Sequence, residues 1–100
     1  MAILVQFTQS GVTPEIYDEI RQKIGWDNDL PSGALFHAVA FDGDVIHEID
    51  VWNSEGEMRE FFENRLAATA KALGYTVDEP KIYPVHALKA FPALVAMEVA

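Results

Sequence analysis

Residues 34–52 read ALFHAVAF-DGD-VIHEIDVW, two β-rich runs around an Asp-Gly turn. This hairpin constrains the fold most, because it decides which side chains share a sheet face. Pairing Phe41 with Asp44 sets His37 opposite Glu48, and sliding the turn by one residue sets it opposite Asp50. In both registers His37, Glu48, Asp50 and Trp52 lie on one face, since face membership follows parity alone. Leu35, Val39, Phe41 and Ile46 share that parity. The face is therefore apolar with a few ionisable groups set into it, the composition of a pocket lining.

Composition narrows the function classes. At 100 residues the chain is read as a single domain over residues 1–100, with residues 91–100 as a C-terminal tail. Sixteen acids against seven scattered basic residues give a net charge of -9, so no nucleic acid or anionic membrane partner is expected. Cysteine is absent, which removes disulfides, thiolate zinc sites and thiol nucleophiles. MAILVQFTQ has no basic lead, so no leader is expected and a cytoplasmic location is the expectation. Dinucleotide, P-loop and serine-elbow motifs are missing.

The order of elements follows from local signals. Residues 2–8 read as a buried strand. Thr13-Pro14-Glu15 is a helix start, and Gly25 its stop, with Ile16, Tyr17, Ile20 and Ile24 as the apolar stripe. After the hairpin, Ser54 and Glu57 make a capping-box pattern for a second helix. That helix is expected to run to Leu73, with Met58, Phe61, Phe62, Leu66, Thr69 and Leu73 inward and Gly74 ending it. Residues 81–89 read as a last strand, in which Pro84 implies an edge or a bulge. Strand-helix-strand-strand-helix-strand with right-handed crossovers is an α+β, ferredoxin-like βαββαβ fold. It has a four-stranded antiparallel sheet and two helices on one face.

Such a sheet has a second face without helices, yet the strands do not alternate apolar and polar. Phe36, Ala38, Ala40, Val45, Ile49 and Val51 are assigned to the helices. Leu35, Val39, Phe41, Ile46 and Trp52 then fall on the open face with His37 and its acids. An apolar patch of that size marks an interaction surface, so a homodimer through the open face is expected, with the apolar tail reaching across.

His37 next to a carboxylate suits proton abstraction, with His37 as general base and Asp50 orienting it. Gln6, Glu48, Trp52 and His86 are the expected ligand-binding residues, on an apolar or aromatic small molecule. The alternative is a non-catalytic ligand-binding or structural dimer in which the His-Asp pair only stabilises the fold. His37, His86, Asp50 and Glu48 could together offer metal ligands. They lack a close-spaced ligand motif, so no metal is expected.

The order of elements, Asp50-Val51-Trp52-Asn53-Ser54 at the strand-helix junction, Phe61-Phe62 and Pro84-Val85-His86 carry a resemblance. The chain resembles the dimeric α/β-barrel superfamily, and within it the antibiotic biosynthesis monooxygenase-like proteins. That resemblance implies a dimeric α/β barrel. Its pocket lies between sheet and helices or inside the barrel. The activities it implies include oxygenation without a cofactor and isomerisation. Haem degraders of the group are similar to one another in a strand-one Asn and a helix-two His; here Gln6 stands in strand one and helix two has no His, so haem is not expected.

Overall fold

The computed structural model describes residues 1–97. It contains β1 (Ile3–Ser10), α1 (Pro14–Ile24), β2 (Ala34–Asp42), β3 (Val45–Trp52) and α2 (Glu55–Phe61). A π-helical stretch (Phe62–Ala67), α3 (Ala68–Ala72), β4 (Lys81–Pro84) and α4 (Pro92–Ala96) follow. The sheet is antiparallel with strand order β2-β3-β1-β4, the ferredoxin-like arrangement. Among the described residues no helix is long and apolar enough to cross a membrane.

Local chemistry sets the element ends. Thr13 is extended and its Oγ1 accepts the Ile16 N–H, while Pro14 occupies the first helical turn at no hydrogen-bond cost. Ser54 Oγ accepts the Glu57 N–H at 3.2 Å and donates to the Glu57 carboxylate at 2.9 Å. Ser32 and Asn53 donate to the same carboxylate, which holds Glu57 below the usual carboxylate range. Gly33 lies against it with φ +84; a Cβ there would stand 2.5–2.8 Å from the Glu57 carboxyl atoms. This knot fixes the entrance to α2 beside the start of β2.

The hairpin takes the second of the two registers: His37 faces Asp50 and Asp42 faces Val45. Gly43 adopts φ 60 at the first position of the two-residue turn, where a left-handed residue matches the strand twist. A bulge falls at Leu35, between the pairs Ala34–Trp52 and Phe36–Val51, and leaves Leu35 exposed.

Three expectations need correction. The face bearing His37, Glu48, Asp50 and Trp52 packs against the helices, and the opposite face is the open one. Trp52, Ile3 and Val5 form the core with Met58 and Phe61 of α2. Pattern alone could not separate the faces, because both are apolar; the large aromatic and its helix partners decided it. The open face carries Leu4, Gln6, Phe36, Ala38, Ile49, Val51 and Tyr83, with Ile49 36% and Tyr83 47% exposed.

The second correction concerns the long helix. A continuous α-period would turn Thr69 and Leu73 inward, but Ala70 is the fully buried residue. Met58, Phe62, Leu66 and Ala70 recur at steps of four, which drifts around an ordinary α-helix of 3.6 residues per turn. The wider π turn over Phe62–Ala67 absorbs the drift and keeps these four residues on the pocket side. The last strand is also shorter than expected, ending at Pro84 rather than Lys89. Of the tail, residues 98–100 lie outside the described residues; Phe91, Leu94, Val95 and Met97 are exposed.

Candidate functional site

A cavity of about 110 Å³, partly open to solvent, lies between the helix-covered sheet face and the helices. Its size is comparable with the roughly 150 Å³ apolar cavity that takes up benzene. Trp26, Trp52, Phe61 and Phe62 supply aromatic walls. The polar groups gather where α1 crosses β2 and β3.

There His37 is held from both sides. Its Nδ1 lies 2.6 Å from Asp50 Oδ1, and its Nε2 lies 2.7 Å from the Tyr17 hydroxyl. The Trp26 indole meets the imidazole edge-on with centroids 4.5 Å apart, fixing the ring plane. Strand pairing delivers Asp50 opposite His37, and the α1 stripe delivers Tyr17 from above. Arg21, one turn along α1, donates to the Tyr17 hydroxyl at 3.3 Å. Its other nitrogens form a two-point pair with Asp27 at 2.8 and 3.1 Å, and its charge lies 5.1 Å from the Trp26 ring centre.

The proton positions follow from these contacts. Burial pushes the Tyr17 phenol up to about 12, against the opposing pull of Arg21. Tyr17 therefore keeps its proton near neutrality and donates it to His37 Nε2. With Nε2 accepting from Tyr17, the ring hydrogen stands on Nδ1, where Asp50 accepts it. The result is a directed chain, Arg21 to Tyr17 to His37 to Asp50.

Glu48 stands beside the chain, its Oε2 3.9 Å from His37 Nδ1 and its side chain 17% exposed. Burial raises it well above the usual carboxylate range, and the adjacent Asp50 raises it further. Its cross-strand neighbours, Phe7 and Val39, are apolar. Ligand atoms of His37, Glu48 and Asp50 lie within 4.8 Å of one another, a spacing open to a metal ion in principle. In this geometry both ring nitrogens of His37 are already engaged, by Asp50 and Tyr17.

The structure brings His37, Asp50, Glu48 and Trp52 to the cavity. It does not bring Gln6 or His86. Gln6 is exposed on the open face between Ile49 and Lys81, because β1 turns its odd-numbered residues inward. His86 is exposed beyond the end of β4 and does not line the cavity. Gln9 occupies the place given to Gln6. It lines the cavity and clamps the covering loop, its amide nitrogen donating to Thr76 O and its amide oxygen accepting the Asp78 N–H. Tyr17 and Arg21 were missed as site residues. Their signal was weak but present: Tyr17 is the one hydroxyl in an otherwise aliphatic helix stripe.

No family model matches the sequence, and no curated protein does. Solved structures do match. One is a candidate antibiotic biosynthesis monooxygenase from Chloroflexus aurantiacus, at 21% identity and TM-score 0.58 over 89% of this chain and 98% of that one. A second candidate antibiotic biosynthesis monooxygenase, from Deinococcus radiodurans, matches at 21% identity and TM-score 0.53 over 91% and 96%. A variant of SnoaB, a cofactor-independent oxygenase from Streptomyces nogalater, matches at 14% identity and TM-score 0.59 over 91% and 96%. The resemblance to antibiotic biosynthesis monooxygenase-like proteins thus holds at the level of the fold.

Proposed function

We propose that this protein binds an aromatic small molecule between its sheet and helices and removes a proton from it, as a cofactor-independent oxygenase. The observation that carries this reading is the Tyr17–His37–Asp50 chain ending in an aromatic-walled cavity. The fold shared with SnoaB, described as a cofactor-independent oxygenase, agrees with it.

In this reading each residue has a role. Trp26, Phe61 and Trp52, packed on one another, form one aromatic wall for a planar ligand. Tyr17 Oη receives a ligand proton as its own hydrogen passes to His37 Nε2, and Asp50 stabilises the imidazolium that forms. Arg21 steadies the phenol oxygen during the transfer. The resulting carbanion is the electron source for oxygen. An activated CH₂ takes one atom of O₂ to become C=O, and the other atom leaves with both hydrogens as water. No outside reductant enters the balance.

A homodimer through the open sheet face belongs to the same reading. Ile49 and Tyr83, exposed, and Leu4 and Phe36, half-buried, present an apolar surface that a second sheet would cover. Light scattering at micromolar concentration checks it, with a mass of twice 11.1 kDa expected and a monomer contradicting it.

Anthrone, with one doubly activated CH₂, tests the reaction; its reacting ring enters the cavity and the rest extends through the open mouth. Wild-type protein in air is expected to consume oxygen and yield anthraquinone. His37→Ala is expected to be slower by roughly 10²-fold or more, the usual contribution of a general base. Tight binding without turnover would instead favour a non-catalytic binding protein.

A further inference from the structure

The proposed reaction leaves one group in the pocket without work. Glu48 lines the cavity, close to the base, on the same sheet face. Among the described residues it forms no ion pair with lysine or arginine, and His37 is its nearest cation-forming neighbour, at 3.9 Å. Asp50 takes the closer contact with that imidazole, at 2.6 Å. One imidazole thus faces two carboxyl groups in an apolar setting. Two adjacent carboxylates cannot both stay charged there without a large desolvation cost. The proton belongs on Glu48, because Asp50 holds the His37 N–H. The other groups near Glu48 are Tyr17 from α1, itself a donor, and the uncharged Phe7 and Val39.

We infer that Glu48 is a proton donor to a ligand oxygen, so that the site interconverts a carbonyl compound and its enol without oxygen. The inference rests on the base assignment made above. The C–H bond adjacent to the carbonyl breaks, and its proton reaches Tyr17 Oη while the Tyr17 hydrogen moves to His37 Nε2. The C–H electron pair becomes the C=C bond. The carbonyl π pair moves onto oxygen, which bonds the proton leaving Glu48. The step ends with imidazolium facing two carboxylates, at the same net charge as before it; the new imidazolium offsets the second carboxylate until the reverse transfer restores the start. A base and an acid whose environments hold opposite protonation states in one pocket are what enolisation needs. The ligand class is an enolisable ketone whose acidic C–H lies between its carbonyl and an aromatic ring.

The test uses 2-tetralone in deuterated buffer under argon, with proton NMR following loss of its C1 hydrogens. Wild-type protein is expected to exchange them faster than buffer. Glu48→Gln keeps shape and hydrogen bonding but has no acidic proton. It is expected to slow exchange by roughly 10²-fold, with tryptophan quenching by 2-tetralone unchanged and circular dichroism confirming the fold. Glu48→Asp is expected to restore part of the rate. Exchange by Glu48→Gln at the wild-type rate, with His37→Ala inactive, overturns the role of Glu48 and leaves the base in place. Wild-type exchange at the buffer rate overturns the enolisation inference, whereas absence of oxygen uptake with exchange intact overturns only the oxygenase reading.

Discussion

The two faces of one sheet use the same strands for opposite purposes. On the helix-covered face, β3 turns Ile46, Glu48, Asp50 and Trp52 inward, and three of those four are buried. On the open face the same strand presents Val45, His47, Ile49 and Val51, of which His47 and Ile49 are exposed and Val51 is buried. Alternation in a strand is usually read as apolar inside and polar outside. Here the inner face carries the carboxylates and the outer face carries aliphatics. A polar residue on the inner face has to be satisfied by a specific partner, and His37, Tyr17 and Arg21 provide that. An apolar residue on the outer face has no such requirement, and a partner subunit is the cover we propose.

Substitution on each face separates these purposes. The largest effect is expected for Trp52→Ala, which empties a core position packed on Phe61. A loss of about 3–5 kcal/mol in urea unfolding is expected, independent of protein concentration. Ile49→Asp on the other face is expected to convert a dimer to a monomer, seen as concentration-dependent melting lost in the variant. Equal, concentration-independent losses for both variants would break the distinction between the faces.

His37→Ala comes next. It deprives a buried Asp50 and the Tyr17 hydroxyl of their partner, so a loss of about 1–3 kcal/mol is expected alongside any loss of activity. A lowered melting temperature therefore does not distinguish a catalytic His37 from a structural one, and activity has to be read directly.

The smallest effect is a pH dependence. Glu48 has its folded value raised above the ordinary 4.5 by burial and by Asp50. The native state then binds more protons than the unfolded chain above pH 4.5, so Glu48's contribution to stability falls as pH rises through its folded value. Glu48→Gln is expected to flatten that part of the stability curve and to gain on wild type as pH increases. Parallel curves for the two proteins would mean that Glu48 ionises freely.

Much of this arrangement is legible in the sequence. Thr13-Pro14, Gly25 and Ser54-x-x-Glu57 mark helix ends through local hydrogen bonds, and local chemistry survives folding. Parity placed His37 with Asp50, because a strand has only two faces. Which face met the helices was not legible, since that depends on packing Trp52 against Met58 and Phe61, far apart in the chain. Gln6 failed for the same reason: one residue of parity sends it outward and Gln9 inward. The π turn was invisible because its signal is a four-residue step that an α-period nearly imitates. Tyr17 lay hidden in a helix stripe until α1 was set over β2.

Imidazole nitrogen NMR of His37 reaches the central claim most directly, because everything argued about the site depends on one chain of hydrogen bonds. The account predicts a ring hydrogen on Nδ1, an Nε2 signal typical of an acceptor, and a shift of that signal in Tyr17→Phe. A ring protonated on Nε2 with Nδ1 bare, or an Nε2 signal unmoved by Tyr17→Phe, would contradict it.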